Sequence, residues 1–172
     1  MPERTVYIRP TSQCNLGCAY CGFPISALRM SARVAQDAVD FIKGGNNGFT
    51  RLLFTGGEPF LNVEIMQLFA DSLPDMAIVL ITNGTVLNDK VRTFLRSTAS
   101  RLGIILSLDG DREIHNKNRR NSFDRVMANL DTLLPYITCI NMVVTPETIF
   151  RLHESVVFLR CVGAPRISVI LQ

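Results

Sequence analysis

Cys14, Cys18 and Cys21 fall within eight residues at the spacing C-x3-C-x2-C. Thiolates are soft, nucleophilic ligands, so three this close suit zinc, an iron–sulfur cluster or a redox pair. Structural zinc wants a fourth ligand, usually from a second pair roughly a dozen residues on. No such pair follows, and His115 and His153 are solitary, reading as surface or capping residues. A dithiol redox site needs only C-x2-C and leaves Cys14 without a role. A cubane cluster normally takes a thiolate on every iron. Three thiolates from one loop leave one iron open to a further ligand, by the same logic that keeps a position open on a catalytic zinc. The cluster is the favoured reading, with a zinc-binding domain kept as an alternative.

Further along, the polar and glycine-rich signals are Gly56-Gly57-Glu58-Pro59, Thr82-Asn83-Gly84, Ser107-Leu108-Asp109-Gly110 and Thr145. Each follows an apolar run. Strands are expected at 5–10, 51–55, 76–81, 102–106, 136–144 and 166–171, from β-branched and apolar content. Ser31 predicts an N-cap for a helix over 32–43, with Val34, Ala38, Val39 and Ile42 inward. Gly44 and Gly45 end it, and Asn46, Asn47 and Gly48 continue the turn. Asn62 predicts a cap for a helix over 63–72, and Asn88 one carrying Val91, Phe94 and Leu95. Residues 111–121 read as a polar loop, after which Ser122 caps a further helix; a last helix starts near Pro146 with Ile149, Leu152, Val156, Val157 and Leu159 apolar.

Strands apolar on both faces and joined by helices belong to a parallel sheet covered by helices, and repeated right-handed crossovers coil it in one direction. The fold class implied is α/β, a partial (β/α)6 barrel of parallel strands, read as one domain over 1–172 that stops at strand six. In such folds the active site lies at the C-terminal ends of the strands, which is where these signals sit.

Composition narrows the function. With 47% hydrophobic and 19% charged residues, a substantial core is expected and disorder is not. The net charge of +3 comes without a basic stripe, which argues against nucleic acid. No apolar run is long enough for a membrane span, and the first residues carry no apolar signal segment. The five cysteines are an odd number in a chain without an export signal, so a disulfide framework is not expected and a cytoplasmic location is. Cys139 and Cys161 read as buried core thiols.

The cysteine spacing, with aromatic Tyr20 before the last thiol, resembles the signature of the radical SAM superfamily. That resemblance implies a 4Fe-4S cluster on Cys14, Cys18 and Cys21. It implies that the open iron chelates S-adenosylmethionine, whose reductive cleavage yields a 5'-deoxyadenosyl radical. Gly56, Gly57 and Glu58 resemble the family's second motif, which meets the methionine amino group. Glycines would let backbone approach the ligand, and Glu58 or nearby carbonyls would accept from the ammonium. Asn83, Ser107 and Asp109 fall where the family places ribose and carboxylate contacts. The run from Ser107 to Arg119 resembles the branch of anaerobic sulfatase-maturating enzymes and other peptide-modifying SPASM proteins, in which Arg119 would fork onto the cofactor carboxylate. Leu171 matches the apolar residue that packs on adenine. The resemblance implies a peptide or protein substrate and an electron donor of flavodoxin or ferredoxin type. Residues 1–172 show no cysteine-rich motif like that of the branch's C-terminal extension, and no general acid or base is visible among them. A truncated, non-catalytic fragment that holds the cluster or S-adenosylmethionine is therefore the second expectation.

Overall fold

The computed structural model describes residues 4–45 and 48–172. Strand and helix alternate along the chain. The strands are β1 (Arg4–Ile8), β2 (Phe49–Phe54), β3 (Ala77–Thr82), β4 (Leu102–Ser107), β5 (Ile137–Val144) and β6 (Ile167–Leu171). The helices are α1 (Ala32–Gly44), α2 (Val63–Ser72), α3 (Asp89–Ser97), α4 (Arg112–Asn118), α5 (Phe123–Leu133) and α6 (Leu152–Cys161). The six strands form one sheet in sequence order, and β1 with β2, β2 with β3, β4 with β5 and β5 with β6 pair in parallel. This is the expected partial (β/α)6 barrel class. The turn expected at Asn46 and Asn47 lies outside the described residues.

The chain divides into two compact units, one of 1–14, 23–81 and 87–103, the other of 15–22, 82–86 and 104–172. Cys14 belongs to the first, Cys18 and Cys21 to the second.

In the first unit, the β-strand pleat separates two faces. Leu52, Phe54, Ile78 and Leu80 are fully buried, while Leu53 and Val79 between them are half-buried. Phe69 of α2 meets Phe54 edge-on at 6.1 Å, which places α2 on the buried face. Burying a side chain such as Phe69 contributes roughly 1.5–3 kcal/mol. Ser31 does cap α1, its Oγ accepting from Val34 N–H at 3.3 Å. The inward face of α1 differs from expectation. Ala35 and Val39 are buried, whereas Val34 is 52% exposed. Ala35 and Val39 are four residues apart and share one helix face, whereas Val34, adjacent to Ala35 in the chain, lies off that face.

In the second unit, Leu106 and Ile104 are fully buried, and Leu106 lies where a Cβ on Gly84 would also meet Val126 and Leu133 of α5. Four sequence readings are corrected here. Residues 111–121 contain helix α4, capped by Asp111, whose Oδ1 accepts from Glu113 and Ile114 N–H, both at 3.1 Å. Ser122 makes no side-chain cap; its hydroxyl pairs with His115 Nε2 at 2.9 Å. His115 is completely buried, not a surface residue. Cys139 is buried as expected, but Cys161 is exposed at the end of α6. Of α6, Ser155 and Leu159 face inward, while Val157 is exposed. Among the described residues no helix is long and apolar enough to cross a membrane.

Candidate metal and cofactor site

In the first unit the segment leading to Cys14 is bolted to the Gly-Gly-Glu-Pro run. Gly57 N–H donates to Thr11 O at 3.1 Å, and Glu58 N–H to Gln13 O at 2.8 Å. A Cβ on Gly57 would sit 2.0 Å from Gln13 O, and one on Gly56, at φ +124°, 2.7 Å from Thr11 O. The need for glycine here is thus the close approach of the cysteine stem, where the sequence reading expected the approach of a ligand. Glu58 is 1% exposed, and its Oε1 accepts from Phe60 N–H at 3.1 Å, capping the 3-10 turn Pro59–Asn62. Asn62, expected as a helix cap, instead donates from Nδ2 to Pro10 O at 2.7 Å and Met30 O at 3.2 Å. Arg29 adds bonds to Leu61 O and Asn62 Oδ1. Sequence reading missed Thr11, Arg29 and Asn62 as supports, because each acts through a contact with a residue distant in the chain.

In the second unit the rest of the cysteine loop, Asn15–Gly22, is held by residues after β3, β4 and α4. Asn83 Nδ2 donates to Asn15 Oδ1 at 3.0 Å, and Asn15 Nδ2 to Thr85 Oγ1 at 2.8 Å. Asp109 is fully buried at its side chain. Its carboxylate accepts from Tyr20 OH at 2.8 Å, Arg119 Nε at 2.9 Å, Arg119 Nη2 at 3.0 Å, Val143 N–H at 3.0 Å and Asn118 Nδ2 at 3.2 Å. The Arg119 fork is therefore engaged by an internal carboxylate, where the resemblance led us to expect the cofactor's. Arg119 also lies over the Tyr20 ring at 5.3 Å.

This buried charge network shifts its neighbours. Burial disfavours the Arg119 cation, but Asp109 and the Tyr20 oxygen beside it outweigh that and raise its pKa. Burial also raises the Tyr20 phenol; Arg119 opposes the shift, and Asp109 reinforces it. His115 is lowered to about 4 by burial and then by the Arg119 charge. Its Nδ1 accepts from Asp109 N–H at 3.4 Å, so the hydrogen it carries is assigned to Nε2, toward Ser122.

Ser107 ends β4 at 9% exposure, in register with Asn141 of β5 and, through it, Ser168 of β6. Leu171 is in register with Val144. Pleat alternation puts Leu171 and Val144 on one face and Ser107, Asn141 and Ile170 on the other. Leu171 and Ser107 do not share a side of the sheet, and Ile170 is the residue that alternation would have offered instead.

Cys14 and Cys18 are half-buried, Cys21 is exposed, and all three are outside any disulfide. Among the described residues no group of three or more His, Cys, Asp or Glu is gathered to hold a single ion. Three thiol ligands of a cubane each bind a different iron, so they stand wider apart than the ligands of one ion. The donor set, soft thiols on a braced loop, fits an iron–sulfur cluster.

The family model described as the radical SAM superfamily matches residues 8–159. A GTP 3',8-cyclase of Chlorobaculum tepidum is 35% identical over 137 residues, 75% of this chain and 40% of the relative. A cysteine-type anaerobic sulfatase-maturating enzyme of Clostridium perfringens is 32% identical over 138 residues, 70% of this chain and 37% of the relative. A solved structure of native anSMEcpe with bound AdoMet and Cp18Cys peptide matches with a TM-score of 0.86 at 26% identity, covering 99% of this chain and 51% of that one. The chain thus spans about half or less of the length of these proteins.

Proposed function

This chain belongs to the radical SAM superfamily, and on that premise we propose that it is an enzyme core for hydrogen abstraction from a peptide or protein. The family's cofactors are a 4Fe-4S cluster and S-adenosylmethionine, and when bound they supply a 5'-deoxyadenosyl radical by one-electron reduction. Cys14, Cys18 and Cys21 hold the cluster. Gly56, Gly57 and Glu58 support the stem of Cys14 and offer backbone carbonyls to the methionine amino group. Asn83, Ser107 and Ile170 line the nucleoside side, with Asp109, Arg119 and Tyr20 bracing the loop from behind.

The observation that carries this reading is the three thiols of one loop, each outside any disulfide and backed by hydrogen bonds on either side of Cys14. The peptide class is supported by the anSMEcpe complex with AdoMet and Cp18Cys peptide. The similarity to a GTP 3',8-cyclase favours a second reading, a small nucleotide substrate. A low-potential flavodoxin or ferredoxin as donor and a cytoplasmic setting complete the proposal.

The test is anaerobic reconstitution with iron and sulfide, followed by absorption and EPR, then dithionite with S-adenosylmethionine and an assay for 5'-deoxyadenosine. A 4Fe-4S signal and deoxyadenosine that vanish in Cys18→Ala are expected. Equal deoxyadenosine from both proteins would sink the catalytic reading.

A further inference from the structure

The turn that closes α4 departs from the usual residue choice. Asn121 N–H reaches back to Asn116 O at 3.2 Å, and Arg120 and Asn121 have φ of +52° and +55°. A helix that ends this way places the residue after its C-cap in the left-handed region, and glycine takes that position by default because a Cβ is crowded there. Asn tolerates the region; arginine has no such excuse. Yet Arg120 Nε donates to Gly17 O at 2.9 Å. A Cβ on Gly17 would lie 3.2 Å from that same Nε. The strained position has kept a side chain, and the position it touches has given one up.

The two preceding residues reach the same loop. Asn118 O accepts from Ala19 N–H at 2.9 Å. Arg119 forks onto Asp109, which accepts the Tyr20 hydroxyl. Consecutive residues at one helix end therefore engage Gly17, Ala19 and Tyr20, which flank Cys18 and precede Cys21.

We propose that Asn118, Arg119 and Arg120 form a clasp that shapes the cysteine loop before any metal arrives, with Arg120 as a positioning residue. A loop ordered in advance binds its metal without the conformational entropy loss that a floppy one incurs. The purpose assigned to the clasp rests on the cluster reading above, but its existence is testable on metal-free protein.

The reporter is the Ala19 amide, followed by hydrogen exchange in the metal-free chain, with thermal unfolding recorded alongside. Arg120→Gly relieves the backbone while deleting the side chain. The expected result is an unfolding temperature at or above wild type together with Ala19 exchange faster by on the order of tenfold. Arg120→Lys, which keeps a donor, recovers part of the protection. Unchanged Ala19 exchange in Arg120→Gly overturns the clasp. So does a fall in unfolding temperature with faster exchange throughout, which would make Arg120 a general structural residue. In reconstituted protein, Arg120→Gly loses iron to a chelator faster than wild type, and equal rates overturn the clasp's role in metal retention. Wild type that takes up no iron would defeat the cluster reading and leave the amide result to judge the clasp alone.

Discussion

Asp109→Asn keeps the shape of the side chain and removes its charge, leaving Arg119 as a buried cation. In the wild type, Arg119 Nε and Nη2 lie 2.9 and 3.0 Å from the carboxylate, and the two side chains are 8% and 0% exposed. Breaking a buried pair by removing one partner costs roughly 3–5 kcal/mol, because the other charge is stranded. The asparagine amide would also turn a donor toward Asn118 or Tyr20, which now donate to this position. For a chain of this size about 1 kcal/mol moves the midpoint by roughly 2–4 °C, so a drop on the order of 6–20 °C is expected. The assay is thermal unfolding of metal-free protein by far-ultraviolet circular dichroism. The control is Asp109→Asn with Arg119→Met, which removes the stranded charge and restores part of the lost midpoint. An Asp109→Asn midpoint within a degree or two of wild type, or a double variant less stable than the single one, would refute the argument that charge burial dominates this network.

Two further outcomes follow from other contacts. Gly57→Ala pushes a Cβ into Gln13 O, 2.0 Å away in the present geometry. Backbone on both sides must shift, costing about 1–3 kcal/mol, and iron uptake on reconstitution falls with the displaced stem of Cys14; wild-type iron content would contradict this. His115 is held neutral, its pKa lowered to about 4 from the ordinary 6.5. The folded chain binds fewer protons than the unfolded chain between those values, so the stabilisation is complete above 6.5 and is lost as pH falls toward 4. At about 1.4 kcal/mol per unit this amounts to about 3 kcal/mol. Midpoints measured from pH 7 to 4 should fall less steeply in His115→Gln than in wild type, and identical slopes would remove His115 as the cause.

The sequence by itself determined the alternation of strands and helices and the loops that follow the strands. Those rest on local signals: hydrophobic runs, a cap such as Ser31, and glycine at turns. The grouping of Cys14, Cys18 and Cys21 was legible because closely spaced thiols are themselves a local pattern. Helix α4 was hidden because its polar residues read as loop, although Asp111 followed by Glu113 was an available start signal.

Only the tertiary structure decided which polar groups meet. Arg119 finds Asp109, Asn62 turns from its own helix to Pro10, and Ser122 turns to His115, because a buried polar group takes whichever partner the fold brings within reach. The side of the sheet on which Leu171 falls depends on strand register, which no local signal in β6 sets. The requirement for glycine at position 57 was legible as a motif. Its cause, a neighbouring carbonyl from a segment more than forty residues earlier, exists only once the chain has folded back on itself.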